Sequence, residues 1–402
     1  MSQINSGLGA STVTAETING LVKITVKAGS QPLTHYYVAK PGDPTIYMAT
    51  YITGEISPGE LRWLARLQRK QVPNGWHGNV GDDNGYRFIE DKVHGVTGSN
   101  VGVWMIMPGT AYETSAGGPF MRDINTKTDV DQELSWYMNS GHVRTEPWRF
   151  GLLGPYAMRF TTGSQPSATL DTSFFSSLSI QGYVPDSGRG SVSGTATGVT
   201  GSFETVVHWF NDNAQYWTKA SGGKYTSPLM KPGSYTMKMY RDEFSVAQDT
   251  VTITAGGKIT KNIASTESNP SVIWRIGDFD GQPFELKNGD KIEPADQLSG
   301  VVLRVGTTLS FKTGRPNVKI NNWQGSDPGA PRLIDSRGVT RGAYRGFGEV
   351  YTWNVPATAL KQGSNTLTIG VFGTGDADYL SANYIVDAIE LQGKAGVDSP
   401  KD

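Results

Sequence analysis

Short runs rich in Val, Ile, Thr and Tyr, each closed by a glycine or proline turn, repeat along the whole chain. The 50 glycines and 21 prolines are scattered without the period of collagen. That rhythm of tight turns between short β-formers predicts an all-β architecture. Leu21 to Val26 and Thr45 to Thr53 carry apolar side chains at every second position, the period of a strand with one buried face. Val101 to Met107 is continuously apolar, as in a strand buried on both faces. Asn19-Gly20, Pro41-Gly42, Asn74-Gly75 and Asn84-Gly85 mark turns between such segments. Asp171 to Phe175 reads as a capped helical turn.

A chain of 402 residues is expected to divide into two or three domains. The first segment, 1–176, reads as a large β-sandwich. From Leu178 the character changes, and 177–265 reads as a fibronectin III-like or Ig-like sandwich with strands over Glu204 to Phe210, Ser234 to Met239 and Asp249 to Thr254. Thr266 to Pro270 reads as a linker. The segment 266–394 ends in two clean strands, Asn365 to Phe372 and Tyr384 to Leu391, and suits a jelly roll of the carbohydrate-binding kind. Residues 395–402 carry no pattern and are expected to form a tail.

Charge narrows the partners. With 36 basic and 37 acidic residues the formal net charge is −1, and neither sign forms a long block. Nucleic acid and anionic membrane are therefore not expected as partners. A monomer is the expected state. No apolar run approaches a membrane span, and no signal-peptide core is visible in the first twenty residues. Cysteine is absent, which excludes thiolate chemistry and Cys-based zinc sites.

The five histidines, His35, His77, His94, His142 and His208, show no metal-binding pairing. No cofactor is expected for chemistry. Asp278, Asp280 and Asp387 could contribute to a structural calcium site, and turn-forming aspartates explain them equally well. No phosphate loop, nucleophile elbow or HExxH occurs. Glu60, Glu90, Asp91 and Glu133 are available for glycoside hydrolysis, and nothing in their spacing singles out a pair. The glycine-rich run Asp335 to Gly346, with three arginines around Tyr344, is either a solvated loop or a grip for an acidic sugar.

One stretch stands apart: Trp136-Tyr137-Met138-Asn139-Ser140-Gly141-His142, preceded by Gly117 to Asp123. Taken alone, a histidine here is a core residue on a strand; flanking aromatics and a proton carrier near neutral pH also suit a sugar-binding groove.

GGPFMRDIN (Gly117 to Asn125), WYMNSGH (Trp136 to His142), GPYAM (Gly154 to Met158) and GELRWLARL (Gly59 to Leu67) resemble the rhamnogalacturonan lyases of polysaccharide lyase family 4. The resemblance continues through Val206 to Thr218, Ser227 to Met237, Arg304 to Phe311 and Asp335 to Val350. It implies a catalytic β-sandwich followed by fibronectin-like and jelly-roll domains. It implies secretion, and β-elimination between rhamnose and galacturonate in the rhamnogalacturonan I backbone of pectin. In that chemistry an arginine neutralises the galacturonate carboxylate, a base removes the C5 proton, and an acid assists the leaving oxygen at C4. Matched by motif, the histidine is His142, the arginine is Arg62, and a supporting tyrosine is Tyr137.

The chain also departs from that pattern. A second expected tyrosine is Ser135, and the histidine usual before Gly-Pro-Tyr is Leu153. The interval Asn74 to Tyr86, where the family places its base lysine, holds no lysine, although Lys70 and Lys92 flank it. The chain is shortened there and between Gly281 and Arg304, and it lacks the family's opening strands and cysteines. The rival expectation is a non-catalytic pectin-binding protein that keeps the groove without the base.

Overall fold

The computed structural model describes residues 9–56, 61–75, 92–116, 118–120, 124–139, 146–199, 201–267, 272–282, 300–332, 348–373 and 381–393. Among these residues the protein is built of β-strands joined by turns and short 3-10 segments, as the turn-rich sequence predicts. No helix among them is long and apolar enough to cross a membrane.

The first ten strands are β1 (Thr12–Ile18), β2 (Leu21–Lys27), β3 (Leu33–Ala39), β4 (Thr45–Ile52), β5 (Leu61–Leu67), β6 (Val93–Gly98), β7 (Val101–Ile106), β8 (Ile124–Thr128), β9 (Gln132–Asn139) and β10 (Gly151–Thr161). They form a seven-stranded sheet in the order β1-β2-β3-β4-β10-β7-β6 and a three-stranded sheet in the order β5-β9-β8. Every pairing in both sheets is antiparallel. The inner faces meet in a core that includes Met48, Ile52, Trp63, Met105, Leu134, Trp136 and Tyr156. Removing that apolar surface from water is the main force holding the two sheets together.

The large sheet is covered on its other face as well. Tyr36, Val38, Tyr47, Leu152 and Ala157 pack under Phe175, Leu178 and Ile180, which follow β10 in the chain. This second layer explains the continuous apolar run of β7. Val103 and Met105 face the inter-sheet core, while Trp104 and Ile106 pack with Val93 on the opposite side. The helical turn expected at Asp171 is a 3-10 segment over Ser173–Ser177. Asp171 holds its start as an Asx turn, accepting from the Ser173 backbone N–H at 3.0 Å.

Beyond Ser191 two four-stranded sheets enclose a core of Val192, Trp209, Tyr216, Tyr235, Met237 and Val251. The strands Gly233–Arg241 and Phe244–Ile253 are longer than the sequence pattern suggests and form one hairpin. Its tight turn sets Asp242 at φ 47°, a conformation that Asp tolerates better than most residues.

The last region stacks a four-stranded sheet, with strands Val272–Ile276, Asn383–Gly393, Val301–Phe311 and Glu349–Val355, on a three-stranded one. Val301, Leu303, Val318, Trp353 and Leu391 fill the space between them.

Candidate functional site

The outward face of the β5-β9-β8 sheet is built by alternation. In β5, Leu61, Trp63 and Ala65 are buried while Arg62 and Arg66 are exposed. In β9, Leu134, Trp136 and Met138 enter the core, which turns Tyr137 and Glu133 to the opposite face. The aromatic pair of the WYMNSGH motif thus splits its duties. Trp136 stacks edge-to-face on Tyr156 at 4.4 Å inside the core, and Tyr137 looks out.

The β5–β9 register sets Arg62 directly across from Tyr137, with a bulge at Leu61. Arg62 Nη1 donates to the Tyr137 hydroxyl at 2.8 Å, and its guanidinium lies 5.4 Å from the ring centroid. A guanidinium is the group that meets a carboxylate in bidentate fashion. Two of the three proposed site residues are therefore brought together.

His142 lies outside the described residues, as do Gly117, Met121 to Asp123, Glu60, Glu90, Asp91, the arginine-rich run Asp335 to Gly346, and the tail. Three other histidines are core residues: His35, His94 and His208 are all buried. Burial lowers the His35 pKa to about 3 and takes His208 well below the ordinary imidazole range.

Further along the same face, Arg66 pairs with Glu133 at 3.2 Å and with Asp131 at 3.6 Å. Glu133 sits opposite Lys127 of β8. Glu133 is thus engaged with Arg66 on this face, and Glu60, Glu90 and Asp91 lie outside the described residues. Lys70 is exposed in the turn after β5, at the far end of that strand from Arg62. Lys92 precedes β6 in the other sheet, where its carbonyl accepts from Met107. Lys70 therefore does not share the end of β5 that carries Arg62. Ser135 and Leu153, the two departures from the motif, are both buried.

Asp280 and Asp387 come together in the last region. Both are buried, Asp387 Oδ2 accepts from the Gly281 N–H at 3.1 Å, and Oδ1 has no hydrogen-bond partner. Burial and the neighbouring Asp280 push Asp387 up to about 8. Asp278 is half-buried. Among the described residues no group of three or more acidic or histidine side chains is placed to hold a metal ion, so this pair would supply only part of a calcium shell.

Two features were not foreseen from sequence. One is the cationic end of the β5–β9 face, whose only signal is the alternation of Arg62 and Arg66. The other is Glu113, 1 % exposed, which joins the first sandwich to the second. It meets Arg189 Nη1 at 2.8 Å, Lys231 Nζ at 2.8 Å and the Tyr216 hydroxyl at 2.7 Å. Burial raises its pKa, but Lys231 and Arg189 outweigh that and hold the carboxyl below its usual range. A cleft of about 650 Å³ between Trp148, Phe210, Asn211 and Tyr235 lies close by, with Arg149 and Glu146 locked together at its edge.

A model of the N-terminal region of rhamnogalacturonan lyase B matches residues 1–86 and 82–182, and models of polysaccharide lyase family 4 domains II and III match 188–261 and 291–391. Rhamnogalacturonate lyase A of Emericella nidulans is 45 % identical to this chain, covering 97 % of it and 87 % of the relative.

The chain belongs to polysaccharide lyase family 4.

Rhamnogalacturonate lyase A of Aspergillus aculeatus is 43 % identical over 97 % of this chain and 87 % of its own length. A probable rhamnogalacturonate lyase A of Aspergillus fumigatus is 44 % identical with the same coverage. The aligned span of 462 positions exceeds the 402 residues of this family member by 60, so at least that many positions of the relative have no counterpart inside the aligned region. A solved structure from Bacteroides ovatus aligns with 49 % of this chain at 11 % identity and a TM-score of 0.15, too low to bear on the fold.

Proposed function

We propose that this protein is a rhamnogalacturonan lyase that cuts the bond between rhamnose and galacturonate in the rhamnogalacturonan I backbone by β-elimination. The observation that carries this reading is the Arg62–Tyr137 pair, presented on the outward face of the small sheet in register across β5 and β9. The substrate is a cell-wall polymer, so the place of action on this reading is outside the cell.

The chemistry assigns the roles. A galacturonate carboxylate facing Arg62 is neutralised, which makes the adjacent C5 proton more acidic and stabilises the charge that develops as it leaves. Tyr137 fixes the guanidinium through its hydroxyl. His142, three residues beyond the end of β9, is the proton-transfer residue of this proposal. The C5–H electron pair forms the C4–C5 double bond while the C4–O bond breaks, leaving an unsaturated uronate and a protonated rhamnose hydroxyl.

Incubation with rhamnogalacturonan I, followed by ultraviolet absorbance of unsaturated ends, tests the reading. Loss of the signal in Arg62→Ala and His142→Ala is the expected result.

A second reading is a pectin-binding protein without turnover. Its specific support is the sequence from Asn74 to Tyr86, which holds no lysine, together with the placement of Lys70 in the turn at the far end of β5 from Arg62. A missing base costs roughly two to four decades in rate. Tight binding of oligosaccharide with saturated ends only would decide for this alternative.

A further inference from the structure

The far end of the β5–β9 face opens into a cleft of about 670 Å³, lined by Arg66, Gln68, Arg69, Lys70, Val130 and Asp131. One wall is the turn after β5, closed by the Gln71 N–H donating to the Gln68 carbonyl at 2.9 Å. The other is the β8–β9 hairpin tip, where the Asp129 N–H donates to the Asp131 carbonyl at 2.9 Å.

The charges in this cleft are unevenly balanced. Arg66 is already matched by Asp131 and Glu133. Arg69 is held by a neutral partner instead, donating from Nη1 to the Asp129 backbone carbonyl at 2.8 Å. Lys70 has no ion-pair partner among the described residues. Two exposed cations therefore face one opening, and one of them is fixed in direction by the opposite wall. Val130, 88 % exposed at the hairpin tip, adds an apolar rim.

We propose that this cleft is a second uronate subsite, in which Arg69 and Lys70 take the carboxylate of a further galacturonate on the same chain whose reacting galacturonate faces Arg62. The proposal rests on the lyase reading for the line the polysaccharide follows. Arg62 and Arg66 share one face of β5, four residues or roughly 13 Å apart, and the cleft begins at Arg66. Because the backbone alternates uronate and 6-deoxy sugar, a chain lying along β5 carries another carboxylate towards the cleft. The methyl group of the intervening rhamnose finds the Val130 rim. Arg69 supplies a planar fork for the carboxylate, and Lys70 a point charge.

Calorimetric titration of the wild type and of the Arg69→Ala/Lys70→Ala double variant tests this, using acidic rhamnogalacturonan I oligosaccharides and their carboxyl-reduced, neutral counterparts. The double variant is expected to bind the long acidic oligosaccharide about three- to tenfold more weakly, with a shallower salt dependence and unchanged affinity for the neutral one. Arg69→Lys is expected to restore part of the loss. Unchanged affinity and salt dependence in a folded double variant would overturn the subsite. If the wild type forms no unsaturated ends while the double variant still binds the acidic oligosaccharide more weakly than the wild type, the lyase reading fails and the subsite stands. If it cleaves while the double variant binds and cleaves like wild type, the subsite fails and the lyase reading stands.

Discussion

Arg62 and Tyr137 stand opposite each other across the β5–β9 ladder, and the guanidinium donates to the phenol oxygen at 2.8 Å. The two side chains are 75 positions apart in sequence, so only the sheet register makes them neighbours. Both are outward because their strand neighbours, Trp63 and Trp136, are core anchors that fix the alternation. On the proposed lyase reading, removing Arg62 leaves the galacturonate carboxylate uncompensated in the transition state. Arg62→Ala is expected to lower kcat/KM on rhamnogalacturonan I by about two to three decades, as when a single charge-stabilising donor is lost. Tyr137→Phe, which removes only the hydroxyl, should cost far less. Initial rates of double-bond formation, with thermal unfolding as a control, check both.

Glu113 is a stability element. It is buried against Arg189, Lys231 and Tyr216 of the following sandwich. Its truncation strands the buried Arg189 guanidinium, and breaking such a buried pair costs about 3–5 kcal/mol. Glu113→Ala should therefore lower the urea midpoint sharply, while Arg69→Ala, in an exposed turn, should leave it nearly unchanged.

His35 predicts an acid limb to stability. Its Nδ1 lies 2.8 Å from Thr50 Oγ1, Nε2 is buried without a hydrogen-bond partner, and Tyr37 and Tyr156 pack against the ring. The folded pKa is lowered to about 3 from 6.5, so the unfolded chain takes up the proton first as pH falls. Stability is then lost from pH 6.5 downward, by about 2 kcal/mol at pH 5 from this group alone. Unfolding of wild type and His35→Asn at pH 7 and pH 5 checks the slope, which should be smaller in the variant. His208, lowered in the same direction, keeps some slope in both.

Asp387 acts with the opposite sign. Its carboxyl is raised to about 8 by burial and Asp280, with Glu243 adding to the shift and Arg241 opposing it. The folded protein holds this proton between pH 4 and 8 while the unfolded chain releases it, so stability falls as pH rises through that window. Asp387→Asn, neutral at every pH, should remove this contribution and be the more stable form near pH 8. A wild-type curve that rises between pH 6 and 8 no less than that of the variant would contradict the assignment.

How much of this was legible in the sequence differs element by element. Period-two alternation exposed the strands, and the unbroken run at Val101 to Met107 correctly announced a strand covered on both sides. The outward aim of Tyr137 was equally implicit, since Trp136 and Met138 flank it with core-type side chains. The Glu113 junction was not legible, because Arg189 and Lys231 are 76 and 118 positions away and no local pattern links them to it. Nor was the cationic cleft, which exists only because two turns separated by some sixty residues close on one another. The Gly233–Ile253 hairpin extends beyond the segments that the apolar pattern marks, Ser234 to Met239 and Asp249 to Thr254, because its ladder runs up to the Arg241–Phe244 pair at the turn.

The most direct test of the account is chemical analysis of the products of purified protein acting on rhamnogalacturonan I. The account predicts fragments ending in a 4,5-unsaturated galacturonate, formed by the wild type and lost in Arg62→Ala. Fragments with saturated ends, or an intact polymer that binds the protein without being cut, would contradict it.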